Sequence, residues 1–200
     1  LKASLHAADV YGSLDTGGAA EHILKALEWL SERKVSVIAM PLVGPANVLL
    51  ELALTRIADA GVIIVAPVGN GGPIKPVAYP AAYNSVIAVT ATDHAGQVYL
   101  HAQRGPEIMF SAVGVDLPVH LPDGAPGTVT GTSFAVPEVS ARLLHMLRHE
   151  GVSTPQKAIE KLLDSLKELG APGHDPVYGH GWVSYAGPGT GPFAEPEKDR

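Results

Sequence analysis

The sequence predicts an α/β protein built on a parallel sheet with helices packed on both of its faces. Short apolar runs alternate along the chain with segments whose apolar residues recur every three or four positions. These runs are apolar at successive positions rather than at every second one, the mark of strands buried on both sides, which parallel strands joined through helices produce. The composition agrees: 46% of residues are hydrophobic, 17% are charged, and 22 glycines and 17 prolines supply many turns. That describes an apolar-cored, loop-rich domain rather than a disordered or fibrous chain.

The elements follow in order. Leu5 to Tyr11 is an apolar run closed by Gly12 and reads as a strand. Ala20, Ile23, Leu24, Leu27 and Leu30 recur at helical spacing, with Glu21, Lys25, Glu28 and Glu32 off that stripe. Val35 to Met40 reads as a buried strand stopped by Pro41. Leu49, Ala53, Ile57 and Ala60 mark a second helix, ended by Gly61 as a C-cap residue. Val62 to Ala66 is a third strand, and Ser85 to Thr92 and Ile108 to Val113 are two more. A long helix pattern covers Phe134 to His149. Thr154-Pro155 then supplies an N-cap and a proline at the first helical position, and Ile159, Leu162, Leu163 and Leu166 carry that helix to Gly170. Gly181 to Tyr185 reads as a closing strand. No internal repeat is evident, and 187–200 reads as a Pro/Gly-rich, charged tail or linker.

Several function classes are excluded early. Two hundred residues make one domain, long enough to bury a core without cross-links. There is no cysteine, so no disulfide framework, thiolate metal site or cysteine nucleophile. Fourteen basic residues against twenty acidic give a net charge of −6, with no basic tract longer than Arg33-Lys34, which argues against a nucleic-acid partner. The longest strongly apolar run falls far short of the ~20 residues of a membrane span. The chain begins at Leu1 with no signal peptide in view, and we expect it to continue a longer parent.

Two segments carry candidate chemistry. In Thr128 to Pro137, Ser133 follows a Gly-Thr turn and opens a helix of small apolar residues. Backbone N–H groups at a helix start are unpaired and the helix dipole favours negative charge there, so an oxyanion formed by attack of this serine would find donors. The same tripeptide also suits a plain helix cap. In Ala66 to Pro73, a Gly-rich loop follows the third strand, where ligands of open parallel sheets bind. It lacks G-x-x-x-x-G-K-[ST], and Pro73 stands where a phosphate-cradling helix would begin, so a nucleotide site is not expected. Asn70 serves there either as a neutral hydrogen-bond donor or as a left-handed turn residue before glycine.

Five stretches together resemble one family. Gly131-Thr132-Ser133-Phe134-Ala135-Val136-Pro137 matches G-T-S-x-A-x-P, and Val62 to Asn70 is similar to a strand ending in an oxyanion asparagine. Leu5 to Gly12, Tyr79 to Val89 and Tyr178 to Val183 fall in the same order and spacing. These are the motifs of the subtilisin-like serine proteases, and the resemblance runs over 1–186. It implies a partial peptidase domain with the three-layer subtilisin-like fold, its N-terminal part missing, that hydrolyses peptide bonds. By it Ser133 is the nucleophile, and Asn70 and the Ser133 N–H hold the oxyanion. Leu42, Val43 and Gly44 form one wall of the substrate slot, Ala66, Val68 and Gly69 the other, with Ala78 at its base and Thr132 beside it.

The match also breaks. The family's aspartate and histidine precede the region where Leu5 stands, so both are expected upstream of Leu1, and the isolated chain is expected to be inactive. His6, His22, His94, His101, His120, His145 and His149 lack the family's histidine context and read as structural or solvated. Pro41 and Val43 replace Ser and Gly of an S-L-G-G motif, Ala78 replaces a glycine, and Glu138 replaces a histidine after the nucleophile motif. Glu107 fits a calcium-site position but Met109 does not, so no metal and no cofactor are expected from these residues, although calcium is compatible with the family fold. The expected partners are a polypeptide substrate and the upstream segment. The resemblance suggests a secreted or periplasmic location and nothing in the residues fixes it. The competing expectation is a catalytically silent binding or scaffold domain on the same fold.

Overall fold

A computed structural model describes residues 3–12, 20–149 and 152–183. The expected tail at 187–200 lies outside the described residues. Helix α1 (Ala20–Glu32) turns its apolar stripe inward, with Leu27 buried and Ile23, Leu24 and Leu30 packed against the core. Strand β1 (Val37–Ala39) leads to α2 (Val48–Asp59) and then to β2 (Ile63–Pro67), which is buried throughout. Strands β3 (Ile87–Thr92) and β4 (Ile108–Val113) follow. A hairpin of β5 (Leu117–His120) and β6 (Pro126–Val129) precedes α3 (Thr132–His149), and α4 (Pro155–Leu163) and β7 (Trp182–Val183) end the described fold.

The central sheet is parallel throughout, in the order β1-β2-β3-β4-β7. Its pleat sorts the side chains into two cores. From β2, Ile64 and Ala66 join the core of α1 and α2, while Ile63 and Val65 join that of α3 and α4. Ala88 and Ile108 repeat the first direction; Val89, Phe110 and Ala112 repeat the second. Burial on both faces makes most strand positions apolar, which is why the sequence shows near-continuous runs, and the buried Thr92 and Ser111 hydroxyls donate to the Ala112 and Gly181 carbonyls.

Local chemistry sets the helix ends. Asn47 caps α2 by accepting a hydrogen bond from the Leu50 N–H (3.0 Å). Thr154 caps α4, accepting from the Lys157 N–H, with Pro155 in the first turn as expected.

Four expectations are corrected. Residues 3–12 form no strand: Leu5 is 92% exposed, and no neighbouring strand among the described residues supplies backbone partners. The buried face of α2 is Leu50 and Leu54 rather than Leu49, which is exposed. Helix α4 stops at Leu163 because Lys167 pairs in both directions with the backbone of Trp182 (3.1 and 2.8 Å), pulling the chain onto the sheet edge. The hairpin β5–β6 falls where the sequence shows only a connection, since its prolines and its exposed alternate positions carry no strand signal. Of the expected closing strand, 182–183 is a strand and 184–185 lies outside the described residues.

Candidate active site

The loop that leaves β2 meets the first turn of α3, and three residues make the junction. Gly131 has a φ of +157°, which favours glycine, and a Cβ there would crowd Asn70 Nδ2 at 3.2 Å. Thr132 begins the helix. Its N–H and its hydroxyl both donate to Asn70 Oδ1, each at 2.9 Å, and its Oγ1 accepts from the Gly69 N–H at 3.2 Å. A backbone N–H can only donate, so the Asn70 atom it meets is the carbonyl oxygen. The Nδ2 donors of Asn70 are thereby turned to the other side. Ser133 follows, half-buried, in the helical turn whose N–H groups have no intrahelical partner. Asn70, Thr132 and Ser133 thus lie together at the carboxyl end of a central parallel strand. The arrangement offers two kinds of donor, a side-chain amide and helix N-terminal N–H groups, beside a serine hydroxyl. That is the equipment for attack on a carbonyl and for holding the resulting oxyanion.

The expected slot residues are stitched to this junction through backbone bonds. The Gly44 N–H donates to the Tyr79 carbonyl (2.8 Å) and the Ala78 N–H to the Val68 carbonyl (2.9 Å), so one wall, base and second wall are contiguous. Gly69, with φ +104°, lies against Ala78: a Cβ placed on it would come within 3.2 Å of the Ala78 methyl. Ala66 and Val68 bury their side chains in the core of α1 and α2, so their contribution to a slot is backbone shape. Val43 is 49% exposed and borders a cavity of about 260 Å³ shared with Tyr11, Ile23, Leu42, Tyr79 and Pro80. None of the residues from Ala66 to Gly69 lines that cavity, nor does Ala78. Val43 thus borders this cavity, while Ala78 packs beside Gly69.

One turn further along α3, Glu138 accepts a hydrogen bond from the Val113 N–H of β4 (3.2 Å). Burial pushes its carboxyl pKa up to about 7, against the smaller opposing effect of the Val113 bond. His6 packs edge-on to Trp29 and His101 to Tyr99, while His22 and His94 are exposed. A larger cavity, about 480 Å³, opens at the opposite end of the sheet, between residues such as Ile63, Ile87, Glu107 and His174. Ligands of open parallel sheets bind beyond the carboxyl ends of the strands, and the motif residues gather there, so we take the junction as the functional end.

Sequence reasoning missed Gln103. It is buried, and its side chain bonds both Gly71 and Pro76 in the loop after Asn70. A lone glutamine in no motif gives no signal in a single sequence.

Comparison with known proteins identifies the family and the fold. The profile of the Subtilase family matches residues 1–181. The chain is 34% identical over 164 residues to the major intracellular serine protease of Bacillus subtilis strain 168, covering 80% of this chain and 51% of that protein. It is 30% identical over 177 residues to the subtilisin of Bacillus pumilus (86% and 63%). It is also 30% identical over 181 residues to the minor extracellular protease Epr of Bacillus subtilis strain 168 (89% and 28%). The chain therefore spans between 28% and 63% of the length of these relatives. The crystal structure of a lanthipeptide protease superposes with a TM-score of 0.74 at 23% identity, covering 86% of this chain and 66% of that one, which shows the shared fold.

Proposed function

We propose, from the premise that this chain belongs to the subtilase family, that it is the nucleophile-bearing part of a serine endopeptidase. The observation that carries the reading is the Asn70–Thr132 lock beside Ser133: Thr132 engages Oδ1 twice and leaves Nδ2 to donate. In the proposed reaction Ser133 Oγ attacks the carbonyl carbon of a peptide bond, and its proton passes to a histidine supplied upstream of Leu1 and oriented by an upstream aspartate. The oxyanion that forms accepts from Asn70 Nδ2 and the Ser133 N–H. The tetrahedral species collapses to an acyl-enzyme as the C–N bond breaks, the departing amine takes the histidine's proton, and water releases the acyl group. Neither a metal nor a cofactor enters these steps. The substrate is a polypeptide whose side chain before the cut bond enters the slot based on Ala78. By itself the 200-residue chain, without the upstream base for the serine proton, should react negligibly with phosphonates. Among the described residues no helix is long and apolar enough to cross a membrane. The relatives include one named extracellular and one named intracellular, so the family leaves the compartment open.

A second reading, a catalytically silent binding domain, draws on Pro41. At the edge where an extended substrate would pair, proline brings no N–H. One experiment separates the two. In the full-length parent, an active-site phosphonate should label Ser133 alone, and Ser133→Ala should abolish peptide hydrolysis. Asn70→Ala should lower turnover by ~10²–10³ with KM little changed, a range taken from a member of this same family. Hydrolysis that survives Ser133→Ala would remove the protease assignment. A parent lacking both labelling and hydrolysis would establish the silent domain.

A further inference from the structure

Gln103 is buried, which is uncommon for a glutamine, and each of its side-chain polar atoms is engaged by a single loop. Its Oε1 accepts from the Gly71 N–H at 3.1 Å, and its Nε2 donates to the Pro76 carbonyl. Its own backbone N–H donates to the Gly69 carbonyl at 3.1 Å. Gly69 and Gly71 are the two chain neighbours of Asn70. One residue thus holds the backbone on both sides of the candidate oxyanion donor. The fit is steric as well: a Cβ on Gly69 would overlap the Gln103 amide. Nearby, the His101 carbonyl accepts from the Gly72 N–H at 2.9 Å, so 101–103 braces the loop over 69–76.

The brace answers a specific weakness. Asn70 is exposed and stands among Gly69, Gly71 and Gly72, residues with wide backbone freedom. Thr132 fixes which end of the Asn70 amide faces outward, but a side-chain lock cannot by itself fix where the Asn70 Cα lies. The donor strength of an oxyanion site depends on that placement, and a displacement of ~1 Å costs up to ~10²-fold in rate.

We propose that Gln103 is a positioning residue for the oxyanion site, setting the place of Asn70 through the backbone on either side of it. The proposal rests on the reading of Asn70 as the oxyanion donor. Gln103 itself touches no reacting atom. An amide is required for this role, since it must accept from Gly71 and donate to Pro76 at once. Leucine of similar reach does neither, and glutamate keeps the acceptor alone.

The test is a double-mutant cycle in the full-length enzyme, reading kcat and KM on one peptide substrate for Gln103→Leu, Asn70→Ala and the pair. Gln103→Leu should lower kcat by ~10–100-fold and leave KM within about twofold. In the Asn70→Ala background the same change should cost less than about twofold further, because the group it positions is gone. If Gln103→Leu does not fold, Gln103→Glu serves in the same cycle. Equal losses in the two backgrounds would overturn the proposal. So would an effect confined to KM, or to preference for the residue before the cut bond, which would make the amide part of the slot instead. A silent Asn70→Ala would overturn the oxyanion reading and the proposal together, whereas a damaging Asn70→Ala beside a silent Gln103→Leu would overturn the proposal alone.

Discussion

The amide of Asn70 has an accepting and a donating end, and Thr132 meets the accepting end with its N–H and its hydroxyl. At this scale Ala78 is a single methyl group set against Gly69, and under the proposed function it bears on specificity. Overpacking a slot costs ~1–3 kcal/mol, or about 10–100-fold in rate. In the full-length enzyme, Ala78→Gly should therefore raise kcat/KM for peptides with Phe or Leu before the cut bond by about tenfold relative to Ala. Val43→Gly should change that ratio little, because Val43 is half-exposed on a cavity that Ala78 does not line. A peptide library that responds to Val43→Gly and not to Ala78→Gly would reverse the two assignments. The candidates Ser133 and Asn70 stand out in the sequence because the chemistry proposed for them demands particular residue types in a particular local pattern. Gln103 is not, because its partners are backbone groups about thirty positions away, and backbone groups leave no trace in residue identity.

Among the elements, α3 bears the unusual group. Glu138 lies between α3 and β4 with its pKa raised by burial from 4.5 to about 7. Between those values the unfolded chain has released a proton that the folded chain keeps. Stability therefore falls as pH rises through that window, and the stabilising contribution is intact only below about pH 4.5. The full difference is about 3 kcal/mol. Glu138→Gln keeps an acceptor for the Val113 N–H and has no proton to lose. By urea unfolding it should match the parent near pH 4 and exceed it by up to about 3 kcal/mol at pH 8. A constant offset at both pH values would show that Glu138 does not titrate in this window. The sequence displays most elements through their periodicity, α1 and β4 being the clearest. It misleads for those whose ends are set by remote partners. Leu166 continues a helical stripe, yet the pairing of Lys167 with Trp182 ends the helix before it. Leu5 to Tyr11 has strand composition, and composition supplies no neighbour.

For the molecule as a whole, one parallel sheet separates two cores that share no buried residue. Leu54 belongs wholly to the first and Leu143 to the second, both fully buried. Each Leu→Ala change should cost ~2–5 kcal/mol, and the two costs should add to within about 0.5 kcal/mol because the sheet lies between them. Urea unfolding of the single and double variants measures this, and a marked departure from additivity would mean the two cores are coupled. The layered architecture is legible in the residues themselves, because double burial leaves strands apolar at nearly every position. Helix α3 packs across β1, β2, β3 and β4 and carries Ser133 in its first turn. A substitution that shifts this turn is felt across those four strands and at Asn70, which Thr132 holds, whereas 41–45 is a loop with mostly exposed side chains. The two regions therefore differ in evolvability. Descendants of this chain should be able to diverge in what they recognise by rewriting 41–45, while the serine, its helix and the loop that carries Asn70 should be inherited as one unit.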